Sequence, residues 1–247
     1  MPKNNGVGHS NYTATKQEHF KTIVQTHLRI ATSIIKKGYA SPAYYYFDIN
    51  AGSGKINGKD GSPIIFLKLS EKYNIDFDIV FIEKNKKTFE KLKRNTWPWS
   101  SFTIENGDNR IVLPKYYSDS RKLRYGLLYA DPNGIPSFDV IAEISKVPCY
   151  SKLDILINCP CNAIKKTRKC SVCYAKETLE EYLIKIDKRF WLIREPYSKW
   201  QWTFLIGTNW DSFPIFKKIG FHNLESKTGR EIFTKLNYTK DELNGKP

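Results

Sequence analysis

The sequence lacks a hydrophobic run long enough to cross a membrane, and its first ten residues are polar and hold no signal-peptide core. We therefore expect a soluble, cytoplasmic protein without membrane contact. Cysteine is scarce, and the five cysteines are an odd number that lies late in the chain, which argues against a secreted disulfide scaffold. The four histidines are not placed to activate any of these thiols as a nucleophile.

Acidic residues are in short supply relative to basic ones. The chain has 40 Lys and Arg against 25 Asp and Glu, which gives a net charge of +15 and a pI near 9.5. An excess of this size favours a polyanionic partner, and DNA or RNA is the simplest choice. The alternative is compositional drift, because Lys and Asn are abundant throughout the chain.

A phosphate-binding glycine loop is also missing. The NTPase pattern around Gly58-Lys59 would need a glycine in place of Ser53 and a hydroxyl in place of Asp60. The dinucleotide pattern would need a third glycine in place of Asn57. The sequence therefore does not fit the common sites for nucleotide phosphates.

What the sequence does contain is an apolar run, Tyr45 to Phe47, that ends in Asp48 and breaks into a turn with two glycines. This pattern is typical of a buried parallel strand that carries an adenosine-containing cofactor at its carboxyl end. Without a phosphate signature, the turn favours S-adenosylmethionine, which carries an amino acid and an adenosine but no phosphate. The alternative is a strand followed by an ordinary turn.

The hydrophobic pattern predicts alternating strands and helices, and so an α/β fold with a mainly parallel sheet and helices on both faces. We expect a single domain over 1–247, with an N-terminal helical extension over 1–40 and a Cys-rich basic insertion over 159–176. Ser62-Pro63 is typical of a helix start, with the serine as cap. The predicted helices cover 15–37, 64–73, 86–95, 138–145, 177–188 and 213–219, and the predicted strands 44–49, 77–82, 102–105, 125–130, 153–158, 202–206 and 231–236.

Polar residues follow four predicted strands in succession. In an open α/β sheet, ligands bind at the carboxyl ends of the strands, so we expect these residues to share one site. Glu83 would hold the ribose hydroxyls and Asp108 the adenine amine. The residues expected to bind the cofactor are Asp48, Ala51, Gly52, Gly54, Glu83 and Asp108.

The fourth strand end, Asp131-Pro132-Asn133-Gly134, is where we expect the methyl acceptor. Enzymes that methylate the exocyclic amine of adenine or cytosine often place an Asp/Asn-Pro-Pro-aromatic tetrad here, in which the Asp and a proline carbonyl orient the amine. Asp131, Pro132 and Asn133 are the candidate catalytic residues. The aromatic position holds a glycine, so Phe138 or Tyr129 would have to stack on the base. The alternative is a plain β-turn.

These motifs together resemble the three-Cys-motif partner family, a group with a methyltransferase-type fold. The resemblance is carried by Lys16 and His19, by Phe47-Asp48-Ile49-Asn50-Ala51-Gly52-Ser53-Gly54, by Gly61-Ser62-Pro63, by Asp131-Pro132-Asn133-Gly134 and by Trp202-Thr203-Phe204-Leu205-Ile206. It implies a Rossmann-like methyltransferase fold and the S-adenosylmethionine cofactor, and it says little about the substrate. Asn50, Ser53 and Asn133 depart from the family pattern and alter the shape of the expected pocket.

A cysteine-rich stretch follows the fifth predicted strand. Cys159-Pro160-Cys161 and Cys170-Ser171-Val172-Cys173 are candidate zinc ligands, and the alternative is a set of reduced thiols. A structural zinc would rigidify a basic loop between them that could grip a phosphate backbone. The alternative for that loop is an ordinary solvated segment. The candidate nucleic-acid contacts are Lys165, Lys166, Arg168 and Lys169.

The sequence thus predicts a methyltransferase that uses S-adenosylmethionine and acts on DNA or RNA, at an exocyclic base amine. One alternative is a non-catalytic module that binds nucleic acid or a protein partner on a methyltransferase-like scaffold, and Gly134 is the main argument for it. Another is an enzyme that uses a different nucleotide. The oligomeric state does not follow from the sequence.

Overall fold

The computed structural model describes residues 13–40, 42–117, 123–169, 177–196, 202–211 and 214–244. These residues group into two units. The first comprises the described residues up to 116 together with 124–128, and the second comprises 117, 123 and the described residues from 129 onward. The single domain expected over 1–247 stays a prediction.

The first unit contains the predicted N-terminal helix and the first three predicted strands. Its elements are α1 (Thr13–Lys36), β1 (Ala43–Asp48), β2 (Lys55–Ile56), β3 (Lys59–Asp60), α2 (Ser62–Ser70), β4 (Asp76–Glu83), α3 (Lys86–Thr96), β5 (Thr103–Asn106) and α4 (Asn109–Val112). The next strand, β6 (Tyr125–Ala130), belongs to this unit up to Leu128. Within the unit the strand order is β6-β1-β4-β5.

Helix α1 is amphipathic and lies over the core of the first unit. Its buried residues recur at helical spacing, as in Phe20, Val24, Leu28 and Ala31. Beneath it, the aromatic rings of β1 pack in layers, and Tyr46 stacks on Phe66 of α2 with ring centroids 3.5 Å apart. No helix within the described residues is long and apolar enough to span a bilayer.

The second unit takes up the chain from the end of β6. Its elements are α5 (Phe138–Lys146), β7 (Leu153–Cys159), α6 (Cys161–Lys169), α7 (Leu179–Ile184), β8 (Phe190–Arg194), β9 (Thr203–Thr208), α8 (Pro214–Lys218), β10 (Phe221–Asn223), α9 (Lys227–Asn237) and α10 (Lys240–Leu243). Within the unit the strand order is β10-β8-β9-β7-β6.

The sheet is mixed and mostly parallel, and this confirms the expected α/β Rossmann-like fold. In the first unit β1 pairs in parallel with β4, with Asp48 opposite Phe81, and β4 pairs in parallel with β5, with Glu83 opposite Asn106. The carboxyl ends of these three strands therefore lie at one edge. In the second unit β9 runs antiparallel to both β7 and β8, and β10 runs antiparallel to β8.

The predicted strand 231–236 and the predicted cap at Ser62 are wrong. The stretch 231–236 is helix, because Ile232, Phe233 and Leu236 are buried along one face of α9 and Ser226 caps its first turn. The helix start at Ser62 uses Gly61 as its cap residue, and no side chain caps this helix. Strands β2, β3, β8 and β10 were not predicted.

Candidate cofactor and acceptor sites

The glycine turn after β1 is tied directly to the end of β4. The Ala51 N–H donates to the carbonyl of Ile82 (3.0 Å), and the Gly52 N–H donates to Glu83 Oε2 (2.9 Å). Gly52 has a φ of +66° and Gly54 a φ of +74°, which L side chains rarely adopt. The turn therefore needs glycine at both positions, and it places a backbone donor against the carboxylate predicted to hold the ribose.

Space is left open on the outer side of this turn. A Cβ built on Gly52 meets no heavy atom within 4 Å, whereas one built on Gly54 would lie 3.2 Å from Cδ1 of Leu92 in α3. Gly54 is thus a packing position, and Gly52 borders free space beside the Glu83 carboxylate. That free space is the feature a bound ligand would use.

Asp48 is fully buried, with 0% of its surface exposed. Its Oδ1 accepts a hydrogen bond from the Asn50 N–H (3.2 Å), and its Oδ2 accepts one from the Ser62 hydroxyl (2.6 Å). These bonds hold the turn against the first residue of α2. Asp48 therefore positions the glycine turn, and the expectation that it also contacts the cofactor stays a prediction.

Glu83 uses both carboxylate oxygens on backbone donors, because Oε1 accepts from the Asn85 N–H (2.7 Å) while Oε2 accepts from Gly52. A carboxylate offers about four acceptor positions, so two protein bonds leave capacity for ligand hydroxyls. The side chain is half-buried. Its position is fixed before any ligand arrives.

Asp108 lies beside the same edge, as the sequence predicts, and it caps α4. Its Oδ1 accepts from the Arg110 N–H (3.0 Å), and Lys84 Nζ lies 2.8 Å from its Oδ2. The Lys84 ammonium, and after it the Arg110 backbone N–H, lower the pKa of this carboxyl. Asp108 is therefore an ionised acceptor near the ends of β4 and β5.

Asn109 is a residue of this edge that the sequence analysis missed. Its Nδ2 donates to the carbonyl of Ile49 (3.1 Å), and the residue is buried at 7% exposure. This bond ties the start of α4 to the end of β1. A polar residue directly after Asp108 in the strand-end sequence is the signal that could have identified it.

The predicted acceptor residues lie in the second unit, at the end of β6. Asp131 and Pro132 are half-buried, and Asn133 is exposed. Asp131 Oδ1 accepts a short hydrogen bond of 2.6 Å from Nδ2 of Asn158, which stands near the carboxyl end of β7. Because a carboxylate oxygen accepts hydrogen bonds, the NH2 group of the Asn158 amide faces Asp131 and its Oδ1 faces away.

Asn158 was not predicted, and it has an unusual environment. It is buried at 7% exposure, and its Oδ1 has no hydrogen-bond partner among the described residues. A buried amide oxygen without a donor is uncommon and costs stability. The sequence signal was available, since Asn158 is the polar residue that ends the apolar run Ile155 to Ile157.

The structure does not support either aromatic candidate for stacking on a base. Phe138 is 3% exposed and stacks on Tyr182, with ring centroids 4.3 Å apart. Tyr129 is 1% exposed. Both rings belong to the core, so neither presents a face to a ligand.

The cysteine stretch is helical where the structure describes it, and this corrects the predicted loop. Cys159 ends β7 and Cys161 begins α6. Both are buried, and their Sγ atoms lie 3.8 Å apart. The contact with Cys161 and burial raise the pKa of the Cys159 thiol. Cys170 and Cys173 lie outside the described residues, and within the described part no group of three metal-ligating side chains occurs.

Two of the four basic residues predicted to bind nucleic acid make contacts inside the second unit. Lys165 Nζ donates to the carbonyl of Lys235 (2.8 Å), and Arg168 donates to the Asn237 carbonyl and to Glu242 (both 2.8 Å). They connect α6 to α9 and α10. Lys166 and Lys169 are exposed. A nucleic-acid contact by these four residues stays a prediction.

No protein-family model matches the chain, and no curated protein does. Membership of the three-Cys-motif partner family therefore stays a prediction. Similar solved structures exist. WbdD has a TM-score of 0.50 at 11% identity, over 82% of this chain and 43% of its own.

Two further structures are similar over most of the chain. The N-methyltransferase NodS from Bradyrhizobium japonicum WM9 has a TM-score of 0.47 at 8% identity, over 80% of this chain and 97% of its own. The METTL16 methyltransferase domain has a TM-score of 0.42 at 12% identity, over 74% of this chain and 66% of its own. The sheet topology and the likeness to WbdD give the chain an α/β Rossmann-like methyltransferase fold, and at 11% identity the likeness concerns the fold alone.

Proposed function

We propose that the chain is an S-adenosylmethionine-dependent methyltransferase that acts on a nucleic acid, with an exocyclic base amine as the acceptor. One observation supports the cofactor assignment above all. The Gly52 N–H and the Glu83 carboxylate meet at the ends of β1 and β4, beside space that a single Cβ on Gly52 would begin to fill. A cradle of this kind suits a ligand that needs close backbone approach.

The two carboxylates at this edge, Glu83 and Asp108, fit S-adenosylmethionine better than a nucleotide with phosphates. The ribose hydroxyls can donate hydrogen bonds to Glu83, and the adenine amine can donate one to Asp108. Carboxylates at both positions would repel a phosphate chain. When bound, S-adenosylmethionine supplies an electrophilic methyl group, and Gly52, Gly54 and Ala51 would border its amino-acid end.

The acceptor residues would act by orientation. Asp131 accepts a hydrogen bond from the target amine and so directs the nitrogen lone pair, while Pro132 and Asn133 shape the wall around it. Asn158 holds one oxygen of Asp131 in place through its Nδ2.

The test is methyl transfer from labelled S-adenosylmethionine to DNA and RNA oligonucleotides. We expect Asp131→Ala to lower the rate by about 100-fold or more while cofactor affinity stays within a few-fold, because only acceptor orientation is lost. Asp211→Ala, at an exposed aspartate of the same unit, is the matched control. Full activity of Asp131→Ala would refute the assignment of this residue.

A non-catalytic binder is the second candidate function. It is favoured by the absence of an accessible ring from the acceptor turn, since position 134 is glycine and both Phe138 and Tyr129 are buried. Such a protein would bind S-adenosylmethionine and nucleic acid but transfer no methyl group to any oligonucleotide. The same labelled assay therefore separates the two functions.

We also propose that Cys159 and Cys161 belong to a structural zinc site. Two thiolates about 2.3 Å from one tetrahedral zinc ion stand about 3.8 Å apart, and the two Sγ atoms are 3.8 Å apart. Elemental analysis of the purified protein tests this. Loss of bound zinc in Cys161→Ser supports the site, and a wild-type protein purified without zinc contradicts it.

A further inference from the structure

Helix α3 carries a strongly basic exposed face. Over Lys86–Thr96 it has five basic side chains and one acidic one, Glu90, and its buried residues are Leu92 and Thr96. All five basic side chains are exposed. They are Lys86, Lys87, Lys91, Lys93 and Arg94.

This arrangement of charge works against the helix itself. Lys86 and Lys87 lie in the first turn, which contains no acidic residue, and cations there oppose the helix dipole. Lys87 and Lys91 are four residues apart, so the two like charges face each other. Within the described part of the chain, no ion pair of Lys86, Lys87 or Lys91 offsets this cost. The face is therefore better explained by an anionic partner than by folding.

An exposed aromatic ring stands at the end of the same face. Trp97 follows the last residue of α3 and is 79% exposed, the highest value among the large hydrophobic side chains described. Its position is one helical turn from Lys93 and Arg94. Tryptophan at this exposure contributes nothing to the core, and an indole beside cations is suited to stacking on an unpaired base.

The other side of α3 is fixed to the glycine turn. Asn95 Nδ2 donates to the carbonyl of Ser53 (2.8 Å), and Leu92 lies against Gly54. The basic face is therefore presented by a helix whose position is set by the proposed cofactor cradle. It needs no rearrangement to meet a ligand.

We propose that α3 and Trp97 form a binding surface for single-stranded nucleic acid. Lys87, Lys91 and Arg94 contact consecutive phosphates, and Trp97 stacks on a base. The choice of nucleic acid rests on the proposed function, but binding at this surface does not require methyl transfer. The surface differs from the α6 residues predicted from the sequence, of which Lys165 and Arg168 make internal contacts.

The test is fluorescence anisotropy with labelled single-stranded DNA and RNA at several salt concentrations, using the full chain. We expect Lys87→Glu/Lys91→Glu to weaken binding about tenfold or more, and to reduce the slope of log K against log salt by about 1.4, because two single-strand phosphate contacts are lost. The control, Lys217→Glu/Lys218→Glu on α8, makes the same change in net charge at two exposed lysines. It should stay within about twofold of wild type.

Variants of Trp97 test the stacking contact separately from the phosphate contacts. Trp97→Ala should weaken single-strand binding about tenfold, and Trp97→Phe should restore most of the loss, because an aromatic ring that stacks on the base is removed in the first variant and kept in the second. A blunt duplex of the same sequence should respond to the lysine changes and not to Trp97→Ala. The urea unfolding midpoint should match wild type for every variant, which shows that each is folded whether or not the protein binds S-adenosylmethionine.

Several results would overturn the proposal. Wild-type oligonucleotide binding by Lys87→Glu/Lys91→Glu, or equal weakening in the Lys217→Glu/Lys218→Glu control, would remove α3 as the surface. Binding of anionic vesicles in place of oligonucleotides would identify a membrane surface as the partner. Intact binding with no methyl transfer would refute the proposed enzyme and leave this surface standing.

Discussion

Gly52 combines a left-handed backbone conformation with open space, and this makes it the sharpest single-residue probe of the proposed cofactor cradle. We expect Gly52→Ala to cost about 1 kcal/mol of folding free energy through its positive φ, and to lower S-adenosylmethionine affinity more than tenfold because the new methyl group enters the cradle. Gly58 is a matched control, since its φ is +75° and its surroundings are equally open. Equal affinity in Gly52→Ala and Gly58→Ala would place the ligand elsewhere.

Asn158 is predicted to be a positioning residue for Asp131. We expect Asn158→Ala to lower kcat by about 10- to 100-fold with little change in KM, because Asp131 loses the donor that fixes one of its oxygens. In Asn158→Asp, two carboxylates would face each other and raise the pKa of the pair. The acidic limb of the pH–rate profile should then move to higher pH. If both variants only lowered the folded fraction, the residue would be merely structural.

At the residue scale, the sequence predicted where polar groups lie but not what each one does. Asp48, Glu83 and Asp108 all stand at the ends of neighbouring strands of the first unit, as strand-end reasoning expects. The assignment of Asp48 could not be refined from the sequence, because its partner Ser62 was assigned to the helix cap. Side-chain hydrogen bonds of this kind depend on three-dimensional packing, which a linear pattern does not contain.

At the scale of elements, the C-terminal helices are joined by an ion pair that should make stability depend on pH. Burial raises the pKa of Glu242, but the Thr239 N–H and the Arg168 guanidinium outweigh it and lower the pKa to about 2. A lowered pKa stabilises the fold above the unfolded value near 4.5. That stability is lost as the pH falls from about 4.5 toward 2.

We therefore expect Glu242→Gln to flatten the loss of stability between pH 4.5 and 2, measured by urea unfolding at fixed salt. Glu225→Gln is the control, because Glu225 pairs with Arg230 at 69% exposure and exposed pairs contribute little. An unchanged pH dependence in Glu242→Gln would mean that the Arg168–Glu242 pair does not form in solution.

Most elements could be predicted because an apolar run bounded by turn residues identifies a strand. The predicted strand 125–130 coincides with β6, and the others of the first unit differ from β1, β4 and β5 by one residue at either end. The wrong and missed elements of three or more residues lie mainly in the second unit. Strand β8 pairs with β9, which follows it in the chain yet lies between it and β7. The order in which strands lie side by side in a sheet leaves no trace in the local sequence.

The predictions for the segments that form α6 and α9 were wrong for a different reason. In α6 the spacing of Cys161 and Ile164 matches one buried helix face, but the cysteine motif favoured a metal-bound loop. In α9 a short run of apolar residues was consistent with strand or helix, and only the cap at Ser226 separates the two. Both are cases in which composition outweighed periodicity.

At the scale of the whole molecule, the basic residues differ in whether an acidic side chain neutralises them. Some basic residues, such as Arg168 and Arg230, pair with acids inside the second unit. Those of α3 have no such partners among the described residues, so five basic side chains without an acidic partner lie on one helix. A net charge of +15 alone could predict a polyanionic partner but not its location.

Calorimetric titration of the protein with S-adenosylmethionine, ATP and NAD, repeated for Glu83→Ala, tests whether the edge at β1 and β4 holds this cofactor. We expect one binding site per chain for S-adenosylmethionine, weaker or no binding of the two phosphate-bearing nucleotides, and at least tenfold lower affinity in Glu83→Ala. An absence of binding at millimolar S-adenosylmethionine, or full affinity in Glu83→Ala, would contradict this expectation.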